Sequence, residues 1–142
     1  PLYSPMSIIL SIKPKFTDLI LNGQKTIEMR TKIGKKFTNE QDVVIYSSSP
    51  KKAIVAIAKI KEIENLDKYE VEEHHLKKVC ISRDFFNEYM KNRDTCYLIE
   101  LKDLKKLKSP LILDDLRKKG FIAPQSFCYA SSEILDLVTS SL

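Results

Sequence analysis

Apolar and polar positions follow two rhythms along this chain, and the switches between them mark its elements. Ile8-Ile9-Leu10-Ser11-Ile12 is a short β-branched run closed by Lys13-Pro14, and it reads as a buried strand. Pro14 suits the first turn of a helix, where its missing N–H is not needed. Phe16, Leu19 and Ile20 then recur at helical spacing, and Asn22-Gly23 stops the helix with Gly23 free to turn left-handed. From 26 to 30 the period drops to two: Ile27 and Met29 face one way, Thr26, Glu28 and Arg30 the other. Residues 31–42 are polar and read as a loop. Val43-Val44-Ile45-Tyr46 forms a strand that breaks into Ser47-Ser48-Ser49-Pro50. Residues 53–63 give the longest strand, apolar on both faces as far as Ala58 and alternating with Lys and Glu beyond it.

Between 64 and 93 the helical period returns. Asp67 and Ser82 have the chemistry of N-terminal caps for two helices, with Ile81 and Phe86 as a hydrophobic staple at the second. Phe85, Phe86, Tyr89 and Met90 form a stripe assigned to the core. Residues 95–101 are again a strand, extended through Leu104 and Leu107. A short helix over 113–119 ends at Gly120, and 125–130 forms a last short strand. Ser132 caps a final amphipathic helix carrying Ile134, Leu135, Leu137 and Val138. Successive strands between 26 and 63 lack the intervening helices of a doubly wound parallel sheet. The expected class is therefore α+β: a small, mostly antiparallel barrel or strongly curved sheet decorated with helices.

Composition narrows this picture. The 142 residues suit one compact domain over 1–142, in which 102–142 is a C-terminal extension packed on the barrel. With 43% apolar and 30% charged residues, there is material for a core and no sign of global disorder. Lys and Arg number 24 against 19 Asp and Glu, a net charge of +5 that favours polyanionic partners, chiefly nucleic acid. Cys80, Cys96 and Cys128 make no CxxC pair, which removes a disulfide framework and a zinc knuckle and fits a reducing cytoplasm. Adjacent His74 and His75 point roughly 100° apart on a helix and have no third ligand, so no metal site is expected. Three glycines are too few for a phosphate-cradling loop. No apolar run reaches the ~20 residues of a membrane span. Met6-Ser7 reads as a native start, and residues 1–5 carry no functional weight.

The densest chemistry lies in Gly23-Gln24-Lys25-Thr26-Ile27-Glu28-Met29-Arg30. A lysine acting as base or nucleophile needs a lowered pKa, whereas a neighbouring carboxylate favours its ammonium form. Lys25 beside Glu28 is accordingly read as a charged donor to an anion or carbonyl, with Arg30 adding a planar fork for phosphate or a base edge. In a regular strand Lys25 would face away from Glu28, so their meeting requires Lys25 to sit in the turn or at a bulge. Ser47, Ser48 and Ser49 are candidate hydroxyl donors, and Tyr46 is a candidate stacking surface for a base. Lys13 and Lys15, with Lys51 and Lys52, are candidate phosphate contacts.

Gly23-x-Lys25-x-x-Glu28-x-Arg30, at a helix-to-strand junction, resembles the signature of the activating-signal-cointegrator homology (ASCH) domain. Leu10 through Phe16 and Ile45 through Pro50 resemble that family too. The likeness runs from Ile8 to Leu101, and Pro124-Gln125-Ser126-Phe127 resembles the tail of its stand-alone members. The resemblance implies a PUA-like β-barrel that binds RNA or a nucleotide or nucleoside in a cleft around the signature, as a transcription- or translation-linked regulator needing no cofactor. It adds Gln125 and Ser126 to the candidate ligand contacts Lys13, Lys25, Glu28, Arg30, Tyr46 and Ser48. One branch, the N4-acetylcytidine amidohydrolases, uses a Lys and a Thr in this stretch and a Glu from a later helix. Lys25 matches the Lys; Glu28 stands where that branch has Thr, and the later Glu corresponds to Glu70, Glu72 or Glu73. Binding is therefore preferred to turnover. The alternatives are a small hydrolase, either such an amidohydrolase or a ribonuclease, centred on Lys25 and Glu28, and a protein-interaction module.

Overall fold

The computed structural model describes residues 6–142; the reading of residues 1–5 lies outside the described residues. The elements are β1 (Ile8–Ile12), α1 (Pro14–Leu21), β2 (Ile27–Arg30), β3 (Asp42–Ser47) and β4 (Ala53–Asp67), then a 3-10 turn (Lys68–Glu70). They continue with α2 (Glu73–Val79), α3 (Arg83–Met90), β5 (Thr95–Ile112), α4 (Leu113–Arg117), β6 (Phe127–Tyr129) and α5 (Ser132–Ser140). One six-stranded sheet runs in the order β2-β5-β4-β3-β1-β6. β1 pairs with β3 in parallel, and the other neighbours are antiparallel.

The sheet curls into a half-barrel. Its bend follows from the long pair β4 and β5, whose register slips between Ile54 and Ala56, Ile57 and Lys59, and Ile60 and Glu62. An extra residue in one strand bends it and sharpens the local twist. The Lys-rich stretch after Leu101 is part of the same continuous strand β5, which passes through Asp103 at φ +54°.

Alternation along each strand sends side chains to two cores. Ile8, Leu10, Ile12, Val43, Ile45, Ala56, Ala58 and Ile60 fill the concave side with Ile20 of α1. Ile9, Val44, Tyr46 and Ile54 face the convex side, where Leu113 and Leu116 of α4 and Ile134 and Val138 of α5 cover them. A third cluster joins Ile27 of β2 and Leu98 of β5 to Leu76 and Val79 of α2 and Phe86 and Met90 of α3. That cluster holds α2 and α3 beside the edge strand β2.

The caps follow local chemistry. Pro14 opens α1, and Gly23, just past the Asn22 cap, takes φ +85°. The Ser82 side chain accepts from the Phe85 N–H at the start of α3. At α5 the cap is Ser131, not Ser132, its hydroxyl accepting from the Ile134 N–H three residues on. Gly34 has a packing reason: a Cβ there would lie 2.7 Å from the Tyr129 hydroxyl and 2.9 Å from the Phe37 ring.

Candidate functional site

A cleft of about 610 Å³ opens at the seam of the half-barrel. On one side stand the junction of β1 and α1 (Ser11, Lys13, Phe16) and the segment before β6 (Gln125, Ser126). On the other stand the end of α2 (Val79), Ile81, and Phe85, Tyr89 and Arg93 of α3 and its following turn. Lys25, Glu28 and Arg30 line it from the β2 segment, followed by Thr31 and Lys32.

The three signature charges form one chain along the seam, buried at Lys25 and Glu28 and half-buried at Arg30. Lys25 lies in the turn before β2, as its meeting with Glu28 demands, and its Nζ is 3.2 Å from Glu28 Oε1. The same ammonium donates to the Ile27 carbonyl at 2.6 Å and the Val79 carbonyl at 3.0 Å. It also lies 5.1 Å from the Phe16 ring centroid. Glu28 Oε2 accepts from Arg30 Nε at 2.9 Å. Arg30 then crosses the seam: Nη2 donates to the Ser11 carbonyl at 2.9 Å, and Nη1 to the Ser126 carbonyl and hydroxyl at 3.2 and 3.0 Å. One arginine on β2 thereby ties down both β1 and the approach to β6, across the gap between the sheet's edges.

This geometry revises the role of Lys25. Lys25 is 3% exposed, and three acceptors match its three N–H groups, so it has no donor left for an incoming anion. Burial pulls its pKa below the ordinary lysine value, and the Glu28 carboxylate pulls it back up. An ammonium satisfies all three acceptors, whereas a neutral amine would turn a lone pair toward one of them. Lys25 therefore positions Glu28 and anchors α2, and is not available as the external donor expected of it. Arg30 commits four of its five N–H groups internally and keeps one on Nη2.

Lys13, Lys32, Gln125 and Ser126 are exposed and line the cleft. Among the described residues neither Lys13, Lys32 nor Arg93 is paired with a carboxylate. Other expectations do not hold. Tyr46 is 2% exposed, and its ring packs 5.7 Å from Phe121 on the convex side, so it offers no face for a base. It lies there because β3 alternates, and its odd partner Ile45 has the concave side. Ser48 does not line the cleft; its backbone N–H donates to the Ile12 carbonyl, bracing β1. Ser47 is buried against the Thr17 hydroxyl at 2.8 Å, and Lys51 borders a separate, smaller hollow. Ser49, Lys52 and Lys15 also lie outside the cleft lining.

None of Glu70, Glu72 and Glu73 reaches the cleft. Glu70 closes the capping box of the 3-10 turn, Glu72 caps α2, and Glu73 pairs with Arg83 at 2.8 Å. Glu70 and Glu72 precede α2 and Glu73 opens it, while the far end of the helix meets Lys25. The carboxylate of the amidohydrolase set is thus missing from the cleft, as is its Thr. Conversely, Phe85 and Tyr89, expected in the core, line the cleft, at 52% and 39% exposure. The sequence carries the signal: 85/89 and 86/90 are two separate i, i+4 pairs, and one core face holds only the second.

The half-barrel and its helices match known structures. The crystal structure of an ASCH protein from Zymomonas mobilis superposes with a TM-score of 0.86 at 22% identity, covering 96% of each chain. The N-terminal domain of McrB from Staphylothermus marinus gives 0.61 at 14% identity, over 98% of this chain and 96% of that one. The ASCH domain from Lactobacillus crispatus gives 0.52 at 14%, over 62% of this chain and 69% of the other. These likenesses define the class: an ASCH, PUA-like fold, as the signature implied. By sequence, an "ASCH domain-containing ribonuclease" of Zymomonas mobilis is 24% identical over 127 residues, 88% of this chain and 84% of that protein. The chain belongs to the family described as a domain of unknown function, DUF365, which matches residues 5–118.

Proposed function

We propose that the seam cleft binds RNA, with Lys13, Lys32 and Arg93 meeting phosphates and Gln125, Ser126 and the spare Arg30 N–H hydrogen-bonding a nucleotide. The observation that carries this reading is electrostatic. Among the described residues the lining holds Lys13, Lys25, Arg30, Lys32 and Arg93 against the single carboxylate of Glu28, and Lys25 and Arg30 already neutralise that carboxylate. Unpaired cations in a concave site focus a positive field on whatever enters. The volume lies within the ~300–1,000 Å³ usual for ligand sites. The name of the Zymomonas mobilis relative, a ribonuclease, supports RNA over other polyanions. RNA occupancy is also the means by which such a module acts as a transcription- or translation-linked regulator.

Binding is preferred to turnover because, among the described residues, the only carboxylate lining the cleft is held by two cations, and the buried lysine has no free donor. That relative's name keeps one enzymatic reading, RNA cleavage, as the second.

Fluorescence anisotropy with an end-labelled single-stranded RNA at low salt tests the first reading. Lys13→Ala, Lys32→Ala and Arg93→Ala are each expected to weaken binding severalfold. No binding by the wild type, or equal binding by all three variants, removes the cleft from the account. Gel analysis of the same RNA after prolonged incubation separates the second reading: shortened products lost in Arg93→Ala would establish cleavage at this site.

A further inference from the structure

Phe85, Tyr89 and Arg93 recur at i, i+4 and i+8, forming one stripe along the cleft wall. The two rings lie 8° from parallel with centroids 6.4 Å apart. The Arg93 guanidinium sits 5.2 Å from the Tyr89 centroid, and its Nη1 donates to the Thr31 hydroxyl at 3.1 Å, which fixes it at the end of the stripe. Phe86 and Met90, one position on, are 2% and 1% exposed and anchor α3 to the core. The stripe is therefore not needed to hold the helix, and large apolar surface left open beside unpaired cations marks a binding face.

Resting on the reading of the cleft as a nucleic-acid site, we propose that this stripe is a stacking ladder for consecutive unpaired bases. The ligand is then a single strand of at least two nucleotides, not a free nucleoside and not a duplex. Two aromatic faces and one guanidinium plane offer stacking surface to any base, because every base has a π-face. Paired bases inside a helix keep those faces stacked on each other and cannot reach the rings. Lys13 and Lys32, from other walls of the same cleft, meet the backbone of the strand. An apolar peptide would fill the aromatic wall but would leave Lys13, Lys32 and Arg93 facing no charge, so the occupant is anionic. Single-stranded RNA and DNA share these faces and phosphates, and the sugar decides between them.

The test is anisotropy with labelled hexauridylate, its deoxy counterpart and a blunt RNA duplex, with uridine monophosphate as competitor. The proteins are the wild type, Phe85→Leu, Tyr89→Leu and Lys13→Ala; leucine keeps apolar volume at these half-exposed positions, and melting curves verify folding. The wild type is expected to bind single strands at least tenfold more tightly than the duplex or the monophosphate. Each leucine variant is expected to lose about tenfold on single strands with Tm unchanged. RNA and DNA single strands both bound supports the ladder, and an RNA preference adds a contact to the 2′-hydroxyl. Unchanged affinity in both leucine variants while Lys13→Ala weakens binding overturns the ladder and leaves the cleft reading standing. Equal affinity for duplex and single strand also overturns it. No wild-type binding to any nucleic acid overturns the cleft reading itself.

Discussion

Lys25→Met keeps an unbranched apolar side chain of the same length up to Cε and removes the ammonium. The substitution leaves the Ile27 and Val79 carbonyls without their donor and strips one of two cations from Glu28. Unpairing a buried ion pair costs about 3–5 kcal/mol, from a total stability of about 5–15 kcal/mol. At this chain length that corresponds to a fall in Tm of about 10–15 °C. Urea unfolding of wild type, Lys25→Met, Glu28→Gln and the double variant reads both the cost and the coupling. The double variant should lose less than the two single losses together, because the Lys25–Glu28 contact can be lost only once. The alkaline limb gives a second reading. Burial holds the folded pKa of Lys25 below 10.5 despite the opposing pull of Glu28. Unfolding restores the ordinary value and takes up a proton, so between the folded value and 10.5 stability rises with pH, by up to ~1.4 kcal/mol per unit. That increment is complete above 10.5 and is lost as pH falls through the folded value, so the Lys25→Met deficit widens as pH enters the window. A Lys25→Met protein as stable as the wild type, but unable to bind ligand, would refute the positioning role and return Lys25 to the cleft as a free donor.

Three further outcomes follow from the geometry. Gly34→Ala drives a methyl group into the Tyr129 hydroxyl and the Phe37 and Phe127 rings, and is expected to cost about 1–3 kcal/mol in urea unfolding. Leu116→Ala empties a fully buried site between α4 and the convex face of the sheet, with an expected loss of about 2–5 kcal/mol and little change in ligand affinity. Combining Lys13→Ala, Lys32→Ala and Arg93→Ala removes three phosphate contacts and should flatten the salt dependence of RNA binding by about 2 in log–log slope, since each contact to a single strand contributes ~0.7.

Much of the fold was legible because local chemistry and tertiary packing agree. Pro14 and Gly23 start and stop α1 by backbone geometry, the Ser82 hydroxyl caps α3, and the period-two run at 26–30 places Glu28 and Arg30 on the cleft side. Lys25, Glu28 and Arg30 of the ASCH-like signature all line the cleft, and Lys25 meets Glu28 from the segment before β2, outside the regular strand. What stayed hidden depends on which side of the sheet a strand presents. Tyr46 and Ile45 both suit a buried strand, and only the position of β3 between β1 and β4 sends Tyr46 away from the cleft toward Phe121. Lys25 read as a donor to a ligand because the Val79 carbonyl, 54 residues away in sequence, gives no local sign of approaching it. Phe85 and Tyr89 run beside Phe86 and Met90 in a stripe wider than one helix face, and only the second pair reaches the core. Arg93 and Lys32 acquire meaning only from the seam.

Ultraviolet crosslinking of a bound single-stranded RNA, followed by mass spectrometry of the crosslinked peptides, tests the cleft most directly. Binding in the cleft predicts crosslinks at Phe16, Phe85 and Tyr89, with Lys13 and Arg93 in the crosslinked peptides. Crosslinks confined to Tyr69, which is 86% exposed beside Lys68, or to the Lys-rich outer half of β5, would place the RNA elsewhere and contradict it.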